Sequence, residues 1–154
     1  MIRTNKTLSR LAAVQILFQL DFNEKMNIEV LKTISEELIY QKYISFKDIN
    51  IKNYGKLKLD KKWFFILVNK VFSFKKEIDK NLIDYFDEGW TVDRMDTTLI
   101  NILRCAYVEF NYFSKIPVNV VISEYTNVSA CFFNESEINF VNSFLDRLSK
   151  LHIK

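Results

Sequence analysis

Apolar residues recur along this chain with the three- and four-residue spacing of amphipathic helices. The first predicted helix covers residues 7–21, and its apolar stripe consists of Leu11, Ala13, Val14, Leu17, Phe18 and Leu20. The same spacing predicts further helices over residues 27–40, 60–88, 93–110, 117–128 and 134–148. Because the 60–88 pattern fits either one bent helix or two consecutive helices, six or seven helices are expected.

Residues with capping chemistry mark where several of these helices begin. The predicted starts are at Asp60, Asp93, Pro117 and Asn134. A side-chain oxygen can accept a hydrogen bond from an unpaired N–H group of the first turn, and proline lacks an N–H that would be unpaired there. Glu137 follows Asn134 by three residues, as in a capping box. Gly89 is expected to end the helical stretch that starts at Asp60.

The chain contains only two glycines and one proline in 154 residues. That scarcity favours long helices over a turn-rich β architecture. The length suits one compact domain, residues 1–154, that needs no disulfide or metal for stability. We therefore predict an all-α fold, a bundle of about seven helices in two packed sub-bundles, with residues 41–59 as a loop.

Several features predict a cytoplasmic protein without membrane contact. The N-terminus lacks the basic, apolar and small-residue pattern of a secretory signal. The most apolar stretch, residues 63–68, is far shorter than the roughly 20 residues that cross a bilayer. Cys105 and Cys131 lack a redox-motif spacing and fit reduced, buried thiols.

The residue types that enzyme and cofactor sites need are scarce. His152 is the only histidine and lies near the C-terminal end, where a catalytic base would be poorly held. Gly55 and Gly89 stand alone, so no glycine-rich phosphate loop can be read. The carboxylates fall at predicted helix surfaces and ends. We expect no catalysis, no cofactor and no metal.

Positive charge is concentrated at the start of the chain, although the net charge is only +3. The first 20 residues contain Arg3, Lys6 and Arg10 and no carboxylate. In a helix these three residues lie on one side, where they could neutralise successive phosphates of a nucleic acid. The same charges also fit a solvated helix face that binds nothing.

Phe140 is the candidate aromatic residue for base stacking. It lies at the edge of the last predicted apolar stripe, with Asn139 beside it and Ser136 one turn earlier. An exposed ring among polar residues is suited to stacking on the bases of single-stranded RNA. Alternatively, Phe140 widens the core face together with Phe144.

Three stretches of this sequence resemble the NusB family. They are SRLAAVQILFQLDF near the start, GWTVDRMDTTLINILRCAYVEF in the middle, and KIPVNVVISEYTNVSACFFNESEINFVNSFLDRL near the end. The third is the most specific, since it is similar to the family's proline-initiated helix and the FVNG-type helix that follows. Their order and spacing agree with the family over nearly the full length.

The resemblance implies a role in transcription antitermination. NusB-type proteins pair with the ribosomal protein NusE, and the pair binds single-stranded boxA RNA of ribosomal RNA transcripts. That complex joins other Nus factors on RNA polymerase. By position, the resemblance implies that Lys6, Arg10, Ser136 and Phe140 lie at the RNA and that Phe18 faces NusE.

Some positions depart from the family pattern. Thr7 and Leu8 stand where basic residues occur, Ser136 where an acid is frequent, and Ser143 where FVNG has glycine. We therefore expect weak intrinsic RNA affinity and more dependence on NusE.

Two other readings remain open. One is the NusB-like RNA-binding domain of a ribosomal-RNA cytosine methyltransferase, and the other is a helical adaptor without RNA contact. The first is disfavoured because no α/β segment with a cofactor loop follows the helical pattern before Lys154.

Overall fold

The computed structural model describes residues 4–22 and 59–152, and every regular element in these ranges is helical. The α-helices are α1 (Asn5–Phe22), α2 (Lys61–Ser73), α3 (Lys75–Ile83), α4 (Thr97–Tyr112), α5 (Val118–Ala130) and α6 (Glu135–His152). The all-α prediction is confirmed, and the six helices of the described ranges are close to the predicted number. The predicted helix over residues 27–40 and most of the predicted 41–59 loop lie outside the described residues.

Helix α4 lies at the centre of the bundle and packs against each of the other five described helices. Every residue from Leu99 to Phe110 is buried, so α4 is enclosed on all sides. Helices α1 and α2 pack on one part of α4, while α5 and α6, joined by a short turn, pack on another. None of the helices in the described ranges is long and apolar enough to cross a membrane.

Local backbone geometry decides where α2 and α3 begin and end. As predicted, the Asp60 carboxylate accepts a hydrogen bond from the backbone N–H of Trp63, at 3.3 Å. The 60–88 stretch forms two helices because Phe74 leaves helical geometry, with φ −109° and ψ 18°. The prediction that Gly89 ends this stretch is wrong. Helix α3 ends at Ile83, and Gly89 occupies the later turn with φ +87°, a conformation that favours glycine.

The predicted start of α4 at Asp93 is also wrong. Asp93 lies in a single 3-10 turn, Val92–Arg94, and Asp96 caps the helix instead. Its carboxylate accepts hydrogen bonds from the backbone N–H groups of Thr98, at 2.8 Å, and Leu99, at 3.2 Å. Pro117 does precede α5, but it occupies the capping position directly before Val118.

The two cysteines differ in their surroundings. Cys105 is buried as predicted, whereas Cys131 is only half buried. Burial raises the pKa of both thiols, and the charge of Glu109 raises that of Cys105 further. Both side chains therefore stay protonated and weakly reactive at neutral pH.

Candidate nucleic-acid interface

Lys6 lies at the solvent-facing start of α1. The Thr4 hydroxyl caps this helix by accepting a hydrogen bond from the backbone N–H of Thr7, at 3.0 Å. The Lys6 side chain is 46% exposed, and its amine lies 3.0 Å from the Asp60 carboxylate and 5.5 Å from the centre of the Trp63 ring. Exposed ion pairs of this kind are weak, so the amine can exchange Asp60 for a phosphate.

Arg10, which was predicted to share a cationic stripe with Lys6, is buried. Its side chain turns into the core and is only 2% exposed. Two guanidinium nitrogens donate hydrogen bonds of 2.8 Å each to the two carboxylate oxygens of Glu109. The prediction of a solvent-facing stripe that includes Arg10 is therefore wrong. Arg3, the third predicted member, lies outside the described residues.

A buried polar network surrounds Arg10 and joins three helices. The Tyr125 hydroxyl of α5 donates a hydrogen bond to Glu109 of α4, and the Thr7 hydroxyl of α1 donates one to Glu124 of α5. Glu124 also lies 3.5 Å from the Arg10 guanidinium. Burial, and next the charge of Glu109, raises the pKa of Tyr125 well above its usual value. Arg10 thus holds the start of α1 in position.

The position of Arg10 relative to apolar residues predicts this network, although the charge pattern alone suggested an exposed stripe. Arg10 is spaced three, four and seven residues before Ala13, Val14 and Leu17, so it belongs to the apolar stripe of its helix. Glu109 lies three residues after Ala106 and is likewise on a buried face. A charge on each of two core faces indicates an internal ion pair, because an isolated buried charge is very unfavourable.

A second buried guanidinium joins the other end of α1 to α3 and α4. Arg104 donates two hydrogen bonds, of 2.7 and 2.8 Å, to the two carboxylate oxygens of Asp79 in α3. It donates a third, of 3.1 Å, to Asp21 near the end of α1. Lys75 and Asn101 also donate to Asp21. The α1–α4 contact therefore has an ionic network around a buried guanidinium near each end.

The three candidate residues on α6 differ in their surroundings. Ser136 and Asn139 are exposed, whereas Phe140 is half buried and its ring centre lies 5.6 Å from that of Phe144. Phe144 in turn contacts Phe86, at 5.3 Å. Successive helical residues are rotated by about 100°. Part of the Phe140 ring therefore extends the core, and Asn139 faces α5 on a different side.

An amide-rich groove lies between α5 and α6 on the side that Asn139 faces. Its cavity volume is about 410 Å³. The lining residues are Asn119, Ile122, Ser123, Thr126, Asn127, Asn139, Asn142 and Asp146. Four asparagine amides thus converge on one groove, a feature that the apolar periodicity did not reveal.

Ser136 lies in the first turn of α6, on its exposed side. Its hydroxyl donates a hydrogen bond to the Glu137 carboxylate, at 3.0 Å. Hydrogen bonds from the backbone of Glu137 itself, from Ser136 and from the backbone of Asn134 lower the pKa of Glu137. The bond from Asn134 is the one that the predicted capping box requires.

Phe18 lies near the far end of α1 from Lys6. It is 38% exposed, and its ring centre is 4.9 Å from that of Phe22, which is 69% exposed. The prediction that Phe18 is partly exposed in the isolated chain is confirmed.

In residues 4–22 and 59–152, no cluster of three or more His, Cys, Asp or Glu side chains could hold a metal ion.

Comparison with known proteins decides the family. A sequence model of the NusB family matches residues 7–150. The chain belongs to the NusB family. A relative from Bartonella tribocorum, named transcription antitermination protein NusB, is 34% identical over 142 residues, which cover 92% of this chain and 86% of the relative. A Brucella abortus protein of the same name is 33% identical over 141 residues, which cover 92% and 78%.

Solved structures of NusB proteins have the same fold. T. maritima NusB superimposes with a TM-score of 0.76 at 25% identity, covering 99% of this chain and 96% of that one. A crystal structure of the antitermination factors NusB and NusE in complex with dsRNA superimposes with a TM-score of 0.69, covering 99% and 100%. At 20% identity this second match shows the NusB fold alone.

Proposed function

We propose that this chain is a transcription antitermination factor that binds boxA RNA of ribosomal RNA transcripts together with NusE. The observation that carries the proposal is the NusB family match over residues 7–150, with relatives named for antitermination. A NusB of the same fold has been crystallised with NusE and dsRNA, which supports NusE and RNA as the two kinds of partner. Residues 1–154 then act as one RNA-binding domain in the cytoplasm, without catalysis, and reach other Nus factors and RNA polymerase through the complex.

Lys6 is the phosphate contact that the geometry supports best. Its amine is half exposed, and its carboxylate partner, Asp60, is also partly exposed. Arg3 lies three residues before Lys6 in the sequence and is proposed as a second phosphate contact. Arg10 takes a positioning role instead, because its guanidinium is occupied by Glu109 inside the core.

The remaining contacts divide between RNA and NusE. Ser136 and Asn139 offer exposed hydrogen-bonding groups, and the exposed part of Phe140 offers a surface for base stacking. Phe18 and the adjacent Phe22 form an exposed aromatic pair suited to burial against NusE.

Binding of a labelled boxA-type RNA across a salt series, with and without NusE, tests this function. We expect tighter binding with NusE than without it. Lys6→Ala should weaken binding to every single-stranded RNA alike and reduce the salt slope by about 0.7, the coefficient for one phosphate on a single strand.

Lys80→Ala is the matched control, because Lys80 is an exposed lysine on α3 with no place in the proposed interface. Binding that is absent with and without NusE would favour the helical adaptor. The names of the curated relatives favour the antitermination factor over a methyltransferase domain.

A further inference from the structure

The groove between α5 and α6 is lined mainly by uncharged polar side chains. Helix α5 contributes Asn119, Ser123 and Asn127, which are spaced four residues apart, and α6 contributes Asn139 and Asn142. Each helix therefore presents a polar stripe to the same space. Asp146, at the end of the α6 stripe, has its charge offset by Lys150 at 3.0 Å.

The asparagine amides are available to a ligand. In the part of the chain that the structure describes, no side-chain hydrogen bond occupies the amides of Asn119, Asn127, Asn139 or Asn142. Each amide offers two N–H donors and one carbonyl acceptor. Ile122 adds an apolar contact. Such a surface suits a flat ligand with donors and acceptors along its edges rather than a phosphate.

Helix α5, which forms one wall of the groove, also contacts α1 close to Lys6. Ser123 and Asn127 flank Glu124 at one and three residues, and the Glu124 carboxylate binds Thr7, the neighbour of Lys6. A single strand whose backbone is held at Lys6 would reach the groove by crossing α5.

We propose that the α5–α6 groove binds the base edges of the single-stranded RNA and supplies sequence preference. Asparagine can pair at two points with adenine N6 and N7, and a carboxylate such as Asp146 can accept from the cytosine amino group. The groove is then separate in chemistry from Lys6, which contacts phosphates. This proposal rests on the proposed RNA-binding function.

The double variant Asn127→Ala with Asn142→Ala tests the groove in the full chain with NusE present. The probes are labelled boxA-type RNA and short oligo(A), oligo(C) and oligo(U) strands. The unmodified chain should distinguish these RNAs by about tenfold or more, and the double variant should reduce the differences to about twofold. The salt slope should stay unchanged, because no phosphate contact is removed. Asn69→Ala, an exposed asparagine on α2, is the control.

Side-chain amide signals in a nitrogen-15 NMR spectrum give a second readout. Those of Asn127 and Asn142 should shift when RNA is added. If the unmodified chain binds RNA but the double variant keeps its base preference, or if no preference exists, the groove proposal is overturned and the antitermination function stands. Shifts with NusE alone would identify a protein occupant and also overturn it. No RNA binding by the unmodified chain would overturn both proposals.

Discussion

Replacing Arg10 with alanine separates a structural role from a direct RNA contact. The substitution removes two hydrogen bonds of 2.8 Å and leaves the Glu109 carboxylate, which is 0% exposed, without its cation. Removing one partner of a buried ion pair costs about 3–5 kcal/mol of the free energy of unfolding. The Tyr125 hydroxyl still donates to Glu109, but a neutral donor cannot replace the guanidinium charge.

The expected loss is large enough to measure by melting. For a domain of this length each kcal/mol changes the melting temperature by about 2–4 °C, so Arg10→Ala should lower it by about 6–20 °C. The matched control is Lys6→Ala, which breaks an exposed pair that contributes at most about 1 kcal/mol. Thermal and urea unfolding followed by circular dichroism provide the comparison.

A second variant shows whether the unpaired charge causes the loss. Arg10→Met combined with Glu109→Gln removes both charges, and it should be less destabilising than Arg10→Ala. If Arg10→Ala melted no earlier than the Lys6→Ala control and yet bound RNA much more weakly, the structural argument would be refuted and Arg10 would be a phosphate contact.

Three further predictions concern exposed and half-buried aromatic residues and the buried tyrosine. Phe18→Asp should weaken NusE binding while circular dichroism stays helical; unfolding of the variant would contradict this. Phe140→Ala should lower the melting temperature, because part of the ring packs on Phe144, and should also cost about 1–3 kcal/mol of RNA affinity at low temperature. If the RNA affinity of Phe140→Ala at low temperature were unchanged, base stacking on Phe140 would be ruled out. Since burial beside Glu109 raises the pKa of Tyr125 above 10.0, stability should be full below about pH 10 and fall above it. Tyr125→Phe should flatten that fall in urea titrations at several pH values.

Apolar periodicity predicted the helices well, and local capping less well. The helix predicted over residues 93–110 corresponds to α4, and its residues from Leu99 to Phe110 are all buried because other helices surround it. Asp93 and Asp96 are the same residue type three positions apart before that stripe. The path of the backbone before α4 decides which of the two carboxylates reaches the free N–H groups of the first turn. The spacing of apolar residues does not reveal that path.

The candidate site was predicted less completely, because its contacts join distant parts of the chain. The partner of Arg10 is 99 residues away in sequence, and that of Lys6 is 54 residues away. A helical wheel gives the side on which a charge lies but not the carboxylate that meets it. Asn139 and Phe140 are neighbours in sequence, yet one faces α5 and the other packs on Phe144.

The two buried guanidinium networks restrict the lengths of α1 and α4. Arg10 meets Glu109 near one end of their contact, and Asp21 meets Arg104 near the other. One inserted residue rotates everything after it by about 100° and shifts it by about 1.5 Å along the axis. An insertion between Arg10 and Asp21 would therefore leave at least one of the two networks misaligned. Insertions and deletions should be tolerated in the connections between helices. They should not be tolerated in α1 between Arg10 and Asp21 or in α4 between Arg104 and Glu109.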